Sequence, residues 1–172
     1  VQWFSEDKSK IKDILSDFLT FAMTFKALIH YNGDTFDIPY LRTLARNLES
    51  DYPLEQLTSI DVYKEIKRFK GILKLENVKL KTIEKLMGVI RDDTFSGGEL
   101  INVYKEYLKD KSESKKELLL LHNHDDIVGL TRIIPILAYP ILFSGNTTVT
   151  GIDNLGKYIE FTVRIKPDIT RK

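Results

Sequence analysis

Apolar side chains recur along the first part of the chain at Ile11, Ile14, Leu15, Phe18, Phe21 and Ala22. This is the spacing of one helical face, and it predicts a helix over residues 6–25. Ser5 followed by Glu6 and Asp7 predicts where that helix starts, with acidic groups near the positive end of its dipole. Ahead of it, Val1-Gln2-Trp3-Phe4 has the pattern of a strand. Ala27 to Tyr31 is a short continuous apolar run, as expected of an interior strand covered on both faces. After an Asn-Gly turn, Pro39 falls in the first turn of a predicted helix ending near Asn47. Leu57 to Ile60 predicts a further strand, followed by helices over Val62 to Phe69 and over Leu80 to Met87, the latter closed by Gly88.

Ser96-Gly97-Gly98-Glu99 has the look of a helix start, with Leu100, Val103, Tyr104, Tyr107 and Leu108 on one side. Lys115 to Tyr139 predicts one long helix or two consecutive ones, ended or kinked at Pro135. The pattern then changes. Ile141 to Phe143, Thr147 to Thr150 and Tyr158 to Ile165 look like strands, separated by turns at Gly145-Asn146 and Asn154-Leu155-Gly156. The order of elements predicts an α/β domain over residues 1–140 and a strand-rich extension over 141–172. In such sheets chemistry usually sits where loops leave the carboxyl ends of strands, and Asp37 stands just beyond such an end.

Composition changes this picture little. The 172 residues carry 26 basic and 25 acidic side chains, so net charge argues neither for nor against a nucleic-acid partner. The distribution says more: residues 64–91 hold nine basic side chains against three acidic ones, either a solvated helical face or a track for phosphates. Cysteine is absent, which excludes disulfides and thiolate chemistry and fits a reducing, cytoplasmic setting. The apolar stretch Ile127 to Phe143 is interrupted by Arg132, Pro135 and Pro140 and is too short for a membrane span.

Two segments carry candidate chemistry. In HYNGDTFDIPYL (30–41), Asp37 is either a turn former or helix cap, or a ligand for a hard divalent ion, which takes only a few carboxylates and keeps several waters. In LHNHDDIVGL (121–130), His122 and Asp126 are four apart and share a helical face. An imidazole one turn from a metal-binding carboxylate suits the activation of a water for phosphodiester hydrolysis. The rival readings are a surface His-Asp pair and a zinc site, the latter disfavoured because His122 and His124 point apart along a helix.

The pattern NxxxFDxPYL at Asn32 to Leu41, the segment LENVKLKTIEKLMGVIRDDTFSGGELINVYKEYL and the final HNHDDIVGL, in this order, resemble the YprB-like branch of the DEDD exonucleases. The similarity runs from Val1 to about Leu137. It implies a ribonuclease H-like mixed sheet flanked by helices, and four carboxylates holding two divalent cations, Mg2+ or Mn2+. On this resemblance Asp37 matches the aspartate of the second motif, Asp126 that of the third, and His122 the Tyr/His position that serves the attacking water. Asn32, Phe36, Lys79 and Lys81 are then expected to contact the substrate, a single-stranded DNA or RNA end attacked by 3'-5' exonucleolytic hydrolysis. The family's first motif, Asp-x-Glu on the central strand, has no counterpart in these residues. The expectation is therefore a chain that begins after that motif, lacks the first strands of the sheet and is inactive alone. Two alternatives stand beside it: a catalytically inactive nucleic-acid-binding or scaffolding module of the same fold, and a phosphatase or nucleotide hydrolase using the same carboxylates.

Overall fold

The computed structural model describes residues 1–91, 95, 97–143, 145, 147–156 and 159–165. Its first helix, α1, covers Ile11–Ala22, and Leu15, Leu19 and Ala22 are buried on the predicted apolar face. The helical start lies later than the expected residue 6. Asp7, rather than Ser5, does the capping: its carboxylate accepts from the Ser9 N–H at 2.8 Å and opens a 3-10 turn over Lys8–Lys10. Ser5 Oγ is turned instead to the Asp7 carbonyl, to which it donates at 2.6 Å.

Strand β1 (Ala27–His30) pairs in parallel with β2 (Thr58–Asp61), register Ala27↔Thr58 through His30↔Asp61. Between them α2 (Asp37–Asn47) makes the crossover that a parallel pair requires. Because the two strands run in register, His30 and Asp61 end side by side. Asp61 also caps α3 (Val62–Lys67) by accepting from the Tyr63 N–H at 3.1 Å. Helix α4 (Leu80–Leu86) ends where Gly88, at φ 70°, takes the left-handed conformation expected of it. Helices α5 (Gly97–Asp110) and α6 (Glu113–Ile133) follow, and α6 stops two residues short of Pro135, giving way to a 3-10 turn over Ile134–Leu137.

Two apolar clusters flank the parallel pair. One joins Leu15, Leu19 and Ala22 of α1 to Ala45 of α2 and to Leu54. The other joins Val62 and Ile66 of α3, Ile83 of α4, Ile133 and Ile136. Each fully buried aliphatic side chain contributes about 1.5–3 kcal/mol relative to exposure, so these clusters anchor both strand ends.

Three expectations fail. Val1–Phe4 forms no strand; rings rather than ladder hydrogen bonds hold it, with Trp3 against Phe18 and Phe21, and Phe4 against Tyr104 and Tyr107. Ile141 and Leu142 are helical, in α7 (Ala138–Leu142), because Pro140 falls in the first turn, where no intrahelical N–H is needed. The sheet before residue 141 is a parallel pair rather than the larger mixed sheet expected there. Among the described residues there are two separate two-stranded ladders, β1–β2 and the antiparallel pair of β3 (Thr147–Asn154) with β4 (Ile159–Ile165). The expected turn residue Asn146, the helix-start residue Ser96 and the strand-start residue Tyr158 lie outside the described residues. Among the described residues no helix is long and apolar enough to cross a membrane.

Candidate active site

The loop leaving β1 is built around Asp61. One of its oxygens, Oδ1, accepts from the Asn32 N–H at 2.8 Å as well as from Tyr63, tying the loop to the start of α3. Asn32 sits at φ 60°, a conformation that Asn tolerates better than most residues. Gly33 is required by the close approach of His30. A β-carbon there would lie 2.7 Å from His30 Nδ1, the atom to which the Gly33 N–H donates at 3.1 Å. The turn delivers Phe36 and Asp37 to the amino end of α2, where Phe36 is the N-cap and Asp37 the first helical residue. Asp37 is therefore not the cap that its position in the sequence suggested as an alternative.

Asp37 is an exposed residue, yet desolvation where its carboxyl sits raises it from its ordinary value. Its own backbone N–H and His30 pull it back, while the charges of Asp126 and Asp61 raise it further. The aspartates at 37 and 126, distant along the chain, are thus within electrostatic reach of each other.

Helix α6 presents Asp126 with His122 one turn earlier, the imidazole Nε2 3.4 Å from Asp126 Oδ2. The neighbouring Asp125 is buried, and Asp126 is the carboxylate in ion-pair range of His122. Its other oxygen is held by Arg91, whose Nη2 donates to Asp126 Oδ1 at 2.6 Å. Arg91 also grips Glu84 of α4, Nη1 donating to both carboxylate oxygens at 2.9 and 3.0 Å. Glu84 is 1% exposed and Arg91 8%. Burial pushes Glu84 above the usual carboxylate range even against Arg91, whereas Arg91 is raised because its bonds to Asp126 and Glu84 outweigh its own burial. The contacts of Nη1 with both Glu84 oxygens and of Nη2 with Asp126 are charge-assisted hydrogen bonds of short length. Gly129, one turn beyond Asp126, makes room for this arrangement, since a β-carbon there would stand 1.8 Å from Glu84 Oε1.

The remaining candidates are less gathered. Phe36 is 64% exposed beside Asp37, available to a planar group. Lys79 is exposed at the start of α4. Lys81 donates from Nζ to the Phe95 carbonyl, and its charge reaches Glu84. Arg91, counted above in the basic stretch, is not available for phosphates, and Lys64 is engaged by Asp34 at 2.6 Å.

The charge network of Arg91 and Glu84 and the cluster of His30, Asp34 and Asp61 were not anticipated from sequence. A hint existed for Asp61, a polar residue between a strand and a helix, the usual signature of an N-cap. Nothing local marks Arg91 as buried.

With this geometry in place, the comparison with known families is decisive for the superfamily. The family model described as RNase_H superfamily matches residues 1–138. The chain belongs to the RNase H superfamily. No curated protein and no solved structure matches it. Membership points to nuclease chemistry on a nucleic-acid substrate, for which RNase H-like nucleases typically use divalent metals. The residues present fit such an ion in kind: Asp37 and Asp126 are oxygen donors suited to Mg2+ or Mn2+, and Asp37 is raised first by burial and, to a lesser degree, by the charges of Asp126 and Asp61. They do not complete a set, since Arg91 takes one oxygen of Asp126.

Proposed function

We propose that this RNase H-superfamily chain is a part of a metal-dependent 3'-5' exonuclease of the DEDD type, YprB-like branch, acting on single-stranded nucleic-acid ends. The observation that carries the reading is His122 Nε2 held 3.4 Å from Asp126 Oδ2 one helical turn away, with the charge of Asp126 among the influences that raise Asp37. On this reading Asp37 and Asp126 hold the divalent cations, Mg2+ or Mn2+, which when bound activate a water and stabilise the leaving oxygen. His122 orients that water or takes its proton, with Asp126 Oδ2 holding the imidazole in place. Phe36 stacks on the terminal base, Asn32 shapes the loop beneath it, and Lys79 and Lys81 draw the phosphate backbone towards α4.

Two further carboxylates are needed on this reading, and no Asp-x-Glu occurs in these 172 residues. The 172-residue chain alone is then expected to bind a 3' single-stranded oligonucleotide in Mn2+ without cutting it. Joined to a strand that supplies Asp-x-Glu, it is expected to release mononucleotides stepwise from a 5'-labelled oligonucleotide, and Asp126→Ala is expected to abolish that release. Internal fragments, inorganic phosphate, or turnover that survives Asp126→Ala would sink the proposal.

A further inference from the structure

We propose that His30, Asp34 and Asp61 form a separate site for one divalent transition-metal ion of the zinc type, at the carboxyl ends of β1 and β2. Each residue offers one donor atom, and these three lie within 4.8 Å of one another. Proximity alone would say little, because polar clusters of this kind are often complete hydrogen-bonded networks. The second observation is an unsatisfied oxygen. Asp61 Oδ2 is buried and has no hydrogen-bond partner, in a side chain that is 2% exposed. Leaving a buried carboxylate oxygen without a hydrogen bond is unfavourable, and this oxygen lies 3.9 Å from His30 Nδ1.

The other contacts define the donor set. His30 Nδ1 accepts from the Gly33 N–H, so the neutral ring carries its proton on Nε2, which lies 2.8 Å from Ser59 Oγ and 3.4 Å from Asp34 Oδ1. The Nδ1 lone pair is taken by the Gly33 N–H, with Asp61 Oδ2 3.9 Å from the same nitrogen, so an ion bound there would replace the Gly33 contact. Asp34 keeps Lys64 on Oδ2 and accepts from Ser59 Oγ on Oδ1 at 3.0 Å. Small side-chain rotations bring such donors to the ~2.0–2.2 Å of zinc coordination, with water completing the shell. An imidazole among the donors favours a transition ion over Mg2+, which separates this site chemically from the all-oxygen pair Asp37 and Asp126. Its consequence is mechanical. The ion would clamp the loop that carries Asp37 through Asp61, the side chain that already ties Asn32.

The inference does not depend on the exonuclease reading, and its test is independent of turnover. Calorimetric titration of the 172-residue Asp37→Asn/Asp126→Asn variant with Zn2+ alone is expected to show one equivalent bound. His30→Gln in that background is expected to weaken binding by about 100-fold or more, beyond the 10–100-fold effect of losing an outer partner. Asp34→Asn should also weaken it, and about a tenfold excess of Mg2+ should not displace Zn2+. Far-UV circular dichroism checks that each variant is folded; His30→Gln and Asp34→Asn leave the Asp61 cap intact. Zn2+ affinity unchanged by both His30→Gln and Asp34→Asn in folded protein, or absent from the parent variant, overturns the site.

Discussion

The two sides of the candidate centre solve the same problem in opposite ways. On the α4–α6 side, three charges are brought together and paired: Arg91 spans Glu84 and Asp126 with short, directed hydrogen bonds, and Gly129 leaves the space for it. On the β1–α2 side, Asp34 and Asp61 lie against His30 with Asp37 within its electrostatic reach, and Lys64 on Asp34 is the lone lysine or arginine in ion-pair contact with these carboxylates among the described residues. The first side is spanned by a guanidinium that holds two carboxylates, although its Nε, like Asp61 Oδ2 on the second side, is buried without a hydrogen bond; on the second side no guanidinium gathers the carboxylates. The difference teaches where the fold is secured and where it is strained. A guanidinium fixes the position of Asp126, while the loop side retains the electrostatic tension that a bound cation would release.

The sharpest way to break the comparison is to remove the guanidinium. Arg91→Met leaves Glu84 buried without its counter-charge, and breaking a buried pair from one side costs about 3–5 kcal/mol. Urea denaturation should show a fall of that order, and Arg91→Met/Glu84→Met should recover more than half of it, because replacing both partners removes the orphaned charge. A loss below ~1 kcal/mol for the single variant would mean that the guanidinium does not secure its side.

A smaller effect tests the space beside the pair. Gly→Ala in a helix interior ordinarily stabilises by about 1 kcal/mol. At Gly129 the new β-carbon would meet Glu84 Oε1, which cannot swing aside while Arg91 holds both of its oxygens. Overpacking of this kind costs about 1–3 kcal/mol, so Gly129→Ala is expected to destabilise by about 1–2 kcal/mol in equilibrium unfolding. In an Arg91→Met/Glu84→Met background the clash is with a longer but unanchored side chain, and the penalty should shrink.

How far this was legible in the sequence follows the same division. Helical periodicity carried α1, and turn and proline signals carried α2 and the halt before Pro135; β1 was legible as a short apolar run, but it is not covered on both faces as expected, since its burial alternates and Ile29 is 40% exposed. Local pattern failed at Val1–Phe4, where long-range ring contacts replace a ladder, and at Ile141–Leu142, where an apolar run of three residues does not distinguish strand from helix. In the candidate site, the i, i+4 spacing of His122 and Asp126 was readable, since it is set within one helix. Arg91 was read as part of a basic surface because its partners, Glu84 and Asp126, are assembled only when α4 packs on α6. The unsatisfied oxygen of Asp61 was invisible for a related reason: its cap role is local, but its burial depends on the pairing of two strands.

The smallest expected effect probes the strained side directly. Burial and the charges of Asp126 and Asp61 raise the folded-state pKa of Asp37 above its unfolded value, near 3.9. A raised carboxyl pKa means that the folded state binds the proton more tightly than the unfolded chain. Stability is therefore lost as pH climbs from the unfolded value through the folded one, and the penalty is constant above that. Asp37→Asn removes the charge while preserving shape, so it should raise Tm slightly at pH 7 and leave it unchanged near pH 3, where the wild-type carboxyl is already protonated in both states. Thermal melts of the two proteins at both pH values decide it: a fall at pH 7, or an equal rise at both, would show that Asp37 is a structural anchor rather than a carboxylate held at a cost to the fold. Proteins retain such charges where something other than stability is served, and the side of the centre that loses stability by ionising is the side on which a cation would be bound most productively.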